Sequence, residues 1–118
     1  RLDSSACTHA ARRGYLEVLK YLHENGCSWN EWACADAARY GYLEVLKYLH
    51  ENGCRWDAYA SMYASRHGHL EVLKYLHQHN CPWNELTCTE SAAEYGYLEV
   101  LKYLHENGCS WNQLACTW

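Results

Sequence analysis

Between residues 16 and 22 the chain reads Leu-Glu-Val-Leu-Lys-Tyr-Leu, and the same string returns at 43–49, 70–76 and 98–104. At about 100° per residue, Leu16, Val18, Leu19, Tyr21 and Leu22 spread over an arc of roughly 220°. Only Glu17 and Lys20 fall outside it. A stripe that wide predicts a helix covered from two sides, one neighbour before it and one after. The stretch upstream has a different pattern. Ala33, Cys34, Ala37 and Ala38 share a face of small side chains that lets helices approach closely, and Trp32, Ala35, Asp36 and Arg39 lie opposite. Asn30 is a favourable N-cap, which predicts a first helix from Asn30 to about Tyr40, ended by Gly41. A second helix runs over about residues 43–52, with Gly53 behind it. The loop Cys54-Arg55-Trp56 then leads to Asp57, the next N-cap.

The larger pattern is repetition. The sixteen-residue block at 15–30 recurs at 42–57, 69–84 and 97–112, with steps of 27, 27 and 28 residues. A fixed period in this range predicts an all-α solenoid of stacked helix-turn-helix units, each burying its apolar face only against its neighbours. The units are approximately 3–29, 30–56, 57–83 and 84–111, with a partial fifth at 112–118. The fourth copy carries one extra residue between Cys88 and Gly96. That predicts either a π-bulge or a shifted start in its first helix.

The run ACADAARYGYLEVLKYLHENGC at 33–54 resembles the ankyrin repeat, whose core reads TPLHxAAxxGxxxxVxxLLxxGAxxN. Ala37-Ala38 before Gly41, Leu43-Glu44-Val45, and Gly53-Cys54 in place of Gly-Ala carry the resemblance, which extends over nearly the whole chain. There are two departures. Ankyrin units run near ~33 residues and carry a β-hairpin finger, for which these shorter units have no room. The TPLH tetrapeptide is replaced by Trp32-Ala33-Cys34-Ala35. The resemblance implies a short ankyrin-like array acting as a protein-binding scaffold.

Composition narrows the function further. Net charge is −4, and ten Lys and Arg are interleaved with fourteen Asp and Glu. Without a basic stripe, the counterion release behind nucleic-acid affinity has little to act on, so no nucleic-acid partner is expected. No apolar run approaches the ~20 residues needed to cross a bilayer, so no membrane partner is expected. Eight cysteines follow the repeat phase. Same-phase residues of stacked units lie about 8–10 Å apart, beyond disulfide reach, whereas a cross-phase pair such as Cys27 and Cys34 is within it. Reduced thiols and an intracellular, cytoplasmic setting are the expectation, with no cofactor.

The copies differ chiefly on the outward face of the first helix. The varying positions are Ser5, Thr8, His9 and Arg12, then Trp32, Ala35, Asp36 and Arg39, then Tyr59, Met62, Tyr63 and Arg66, and finally Leu86, Thr89, Glu90 and Glu94. Trp, Tyr, Met and Arg are the residue types enriched at interfaces. Thr8, His9, Arg12, Trp32, Asp36, Arg39, Tyr59, Met62, Tyr63, Arg66, Glu90 and Glu94 are therefore the candidate protein-binding positions. The competing reading is that they are unconstrained or pack against adjacent units. A zinc reading comes third: His23, Cys27 and Cys34 stand near one junction, echoed by His77, Cys81 and Cys88 and by His105, Cys109 and Cys116. The second junction, His50, Cys54 and Ser61, breaks that pattern. Free Cys as a small buried hydrophobe explains the same positions without metal. No phosphate loop or nucleophile elbow is present, and every His–Cys pair is periodic, so no enzymatic activity is expected. Trp29, Trp56, Trp83 and Trp111 are expected to pack over the unit seams. Arg1 is not an initiator Met, and the chain starts and stops in mid-unit. These facts predict either a segment of a longer array or head-to-tail self-association into a filament.

Overall fold

Each second helix forms where the four-fold repeated string sits. In the computed structural model, which describes residues 4–107, the helices are α1 (Ser4–Arg13), α2 (Leu16–Glu24), α3 (Ala33–Tyr40), α4 (Leu43–Glu51), α5 (Ala58–Arg66), α6 (Leu70–Gln78), α7 (Glu85–Glu94) and α8 (Leu98–Glu106). Among the described residues there is no strand, hence no hairpin finger. The helix pairs stack into an elongated body of 55 × 22 × 17 Å. The odd-numbered helices lie closely against one another, whereas the even-numbered ones form an outer layer with looser mutual contact. Small side chains explain the difference: Ala33, Cys34, Ala37, Ala38, Ala60, Ala64 and Ala92 are all buried on the inner helices, and they allow backbones to approach.

The outer helices fill the gap between layers with larger groups. Leu19, Leu46, Leu49, Leu73, Leu76 and Leu104 are fully buried, flanked by Val45, Val72 and Val100. Glu17–Lys20, Glu44–Lys47, Glu71–Lys74 and Glu99–Lys102 pair on the solvent side at 3.4–3.7 Å.

Local signals set the helix ends. The Asp57 side chain accepts the Tyr59 N–H at 3.0 Å, and the Asn84 side chain accepts the Thr87 N–H at 2.8 Å, which satisfies donors otherwise orphaned at a helix start. At Asn30 the expected cap differs. Its side chain accepts the Trp32 N–H at 2.9 Å, and the Ala33 N–H reaches the Asn30 carbonyl at 3.2 Å in a tight turn. α-Helical bonding begins with the Asp36 N–H onto the Trp32 carbonyl, so the cap position moves two residues on, from Asn30 to Trp32. Gly41 ends α3 at φ 79°, where the His69 ring of the next pair packs so closely that a Cβ would lie 2.6 Å from Nδ1. The extra residue of the fourth copy produces neither a π-bulge nor a shifted start, since α7 begins directly after Asn84 as α5 does after Asp57. It lengthens α7 to ten α-helical residues.

Candidate functional site

The inner helices carry the varying positions, and they divide them into two zones. At the N-terminal ends, Trp32, Tyr59 and Leu86 occupy equivalent places in successive pairs and remain 49, 49 and 44 % exposed. Trp32 and Tyr59 have ring centroids 6.1 Å apart, and Tyr59 and Tyr63 6.3 Å apart, so these three rings adjoin one another. Beside them Ala58, Tyr59, Met62, Asn84 and Thr87 line a shallow cleft of about 140 Å³.

At the C-terminal ends the row is charged. Arg12 pairs with Asp36 at 3.5 Å. Arg39 lies over the rings of Tyr40 and Tyr63, 5.3 and 5.5 Å from their centroids. Arg66 lies over Tyr95 and donates to its hydroxyl at 3.4 Å. Arg39, Tyr63, Arg66, His67, Tyr95 and Tyr97 line an open cavity of about 260 Å³.

His9, Arg12, Trp32, Arg39, Tyr59, Arg66, Glu90 and Glu94 are exposed as expected, and Asp36, Met62 and Tyr63 are half-buried. Thr8 is not on this face. It is only 5 % exposed, like Ala35 at 5 % and Thr89 at 1 %, because that column lies in the narrow seam where neighbouring inner helices meet. His67, Tyr95 and Tyr97, which complete the cavity, were not among the candidates. A signal for two of them existed: the residue just past the varying arginine column reads Arg13, Tyr40, His67 and Tyr95, as variable as the face itself.

The outer seam has its own order. His23 stacks on Trp29 at 4.3 Å, His50 on Trp56 at 3.9 Å, and His77 contacts Trp83 at 4.5 Å. The tyrosine of the following pair, Tyr48, Tyr75 or Tyr103, meets each histidine edge-on at 5.9 Å. The tryptophans Trp29, Trp56 and Trp83 thus close the seams as expected, while Trp111 lies outside the described residues.

This ladder bears on the zinc reading at the described junctions. Among the described residues no three His, Cys, Asp or Glu side chains come together as ligands. The histidines are committed to the indoles, and the thiols meet across the two phases of the repeat. Cys7 pairs with Cys27, and Cys34 with Cys54. In the third pair the Ser61 hydroxyl donates to Cys81 Sγ at 3.7 Å in the same arrangement. Cys109 and Cys116 lie outside the described residues. Cys7, Cys27, Cys34, Cys54, Cys81 and Cys88 are all buried. The hydrogen bond to Cys54, together with burial, pushes the Cys34 thiol up, and burial pushes Cys81 up to about 11. Thiols held protonated in this way are poor nucleophiles.

A family model for ankyrin repeats in three copies matches residues 34–115, more than half of the chain. This chain belongs to the ankyrin-repeat family. A second model, for ankyrin repeats in many copies, matches residues 7–50 of the same repeat array. No curated protein matches the chain. Ankyrin repeats generally act as protein–protein interaction modules and are typically scaffolds without enzymatic activity. No described helix of this ankyrin-repeat chain is long and apolar enough to cross a membrane.

Proposed function

We propose that the chain is a protein-interaction scaffold whose partner lies across the inner helices, anchored on Trp32, Tyr59 and Leu86. One observation carries this reading: three large apolar side chains stay about half exposed in a row spanning three successive helix pairs. Val45, Val72 and Tyr75 of the same stack are by contrast buried against neighbouring pairs. A contiguous exposed apolar row is costly to leave in water and is a common mark of an interaction surface. Rigid aromatic anchors also lose little conformational entropy on binding. The charged row beside it would act as the polar rim of such an interface.

The test is capture of a partner from cell extract, identification of that partner, and measurement of its affinity in purified form. Replacing Trp32 and Tyr59 together by Ala is expected to weaken binding by about thirtyfold, the effect of losing a hot spot worth ~2 kcal/mol. The control Glu17→Ala, on the outer layer, leaves affinity unchanged. A double variant that binds as tightly as the parent rules the stripe out.

A further inference from the structure

The cavity at the C-terminal ends of α3, α5 and α7 contains two arginines that the fold does not neutralise. The first pair shows the alternative. Arg12 occupies the place equivalent to Arg39 and Arg66, and its guanidinium meets Asp36 at 3.5 Å. Twenty-four residues beyond Arg39, where Asp36 stands relative to Arg12, the chain has Tyr63. The acidic partner is replaced by a ring, over which Arg39 lies at 5.5 Å. Arg66 is held by the Tyr95 hydroxyl at 3.4 Å and the Tyr95 ring at 5.7 Å. Among the described residues, neither Arg39 nor Arg66 has a carboxylate within ion-pair distance. Glu94 acts on Arg66, but less strongly than Tyr95 does.

His67 reports the field inside the cavity. Its pKa is lowered by burial first, then by Arg39, His69 and Arg66, with no carboxylate among the causes. His69 Nε2 donates to the Arg39 carbonyl at 3.0 Å, so one of the carbonyls at the end of α3 is already occupied. Stacking on rings uses the faces of the guanidinium groups and leaves N–H edges for a ligand.

We propose that this cavity receives a phosphorylated side chain of the protein partner, its dianionic phosphate held between the Arg39 and Arg66 guanidinium groups. The proposal rests on the scaffold reading and names the partner's chemistry. Two guanidinium charges match a phosphomonoester carrying about −1.5 to −2 at neutral pH, and a carboxylate would leave one of them unpaired. The donors arrive from different helices, which suits the three tetrahedral oxygens of a phosphate better than the planar pair of a carboxylate. About 260 Å³ is small for a metabolite pocket and suits one bulky side chain. The rings of Tyr63, Tyr95 and Tyr97 supply aromatic walls.

The test uses the purified chain with phenyl phosphate, inorganic phosphate and benzoate, read by NMR of the His67 imidazole, assigned through His67→Gln. Phenyl phosphate is expected to raise the pH midpoint of His67, because an adjacent anion favours the imidazolium form. It is expected to bind about tenfold more tightly than either other probe, because only it brings both the dianion and the ring. Arg39→Gln and Arg66→Gln should each lose about tenfold in affinity while helical circular dichroism stays at the parent level. The proposal is overturned by an unmoved His67 signal, by equal binding of inorganic phosphate or benzoate, or by arginine variants that bind like the parent. Trp32 and Tyr59 take no part in this measurement. Partner capture that survives their loss therefore sinks the docking stripe alone, and a silent cavity sinks the phosphate site alone.

Discussion

Helices α2 and α4 are the same nine residues, LEVLKYLHE, in two places. In α2, Val18 is 50 % and Tyr21 66 % exposed, whereas Val45 of α4 is 2 % exposed. In α6 the equivalent Val72 and Tyr75 are 2 and 9 % exposed. The difference is the neighbour: α4 and α6 each have a helix pair before them, and in the described structure α2 has none. The Val and Tyr edge of the apolar arc faces the preceding pair, as the contacts of Tyr48 with His23 and Trp29 show. Leu98 of α8, at 59 % exposed, marks the opposite edge, which faces the following pair. One sequence thus has two burial states, and stability resides in junctions more than in helices.

The sharpest way to break this comparison is to truncate the same ring in both states. Tyr75→Ala is expected to cost about 3 kcal/mol in urea unfolding, the range for deleting a buried aromatic, and Tyr21→Ala less than ~0.5 kcal/mol. Equal losses would mean that the outer helices are stabilised internally and that the junctions count for little.

A second contrast uses glycines of equal conformation. Gly41 and Gly96 have φ of 79° and 76°. A Cβ at Gly41 meets the His69 ring, while at Gly96 nothing lies within 4 Å. Gly96→Ala should cost about 1 kcal/mol for the left-handed backbone alone. Gly41→Ala should cost roughly 1–2 kcal/mol more, because the ring must move. Thermal unfolding of the two variants measures the gap.

The smallest effect is a pH dependence located at an interior junction. Burial, with a further contribution from His79, holds the His50 pKa below its ordinary 6.5. The folded state therefore binds fewer protons than the unfolded state, and stability rises with pH through this window. His50 contributes fully above 6.5 and loses its contribution as the pH falls through its folded value. Urea midpoints between pH 7.5 and 5 should decline for the parent and decline less for His50→Asn.

Some of the site could be read along the chain, for reasons tied to particular residues. The outward placement of Trp32, Tyr59, Arg39 and Arg66 followed from helical phase, and phase depends only on spacing. Thr8 has the same phase as exposed residues yet is buried, because the distance between inner helices decides how wide the covered strip is. Which cross-phase thiols meet was left open for a similar reason. Cys27 and Cys34 are near in sequence, but the return of the second helix along the first brings Cys27 back to Cys7 and Cys54 back to Cys34. The cavity was missed because its walls come from two inner helices, α3 and α5, and the turns that follow α5 and α7.

The chain's own order of residues determined that there are paired helices, where glycines end them, and which residues each helix can offer to a partner. These are consequences of local backbone preference and of a period that a single helix already displays. Which offered residues are covered, which arginine is neutralised and which is left to face a cavity were decided only by stacking. Burial and charge pairing depend on distances between side chains some 24 to 30 residues apart, and those distances exist only once the helix pairs lie against one another.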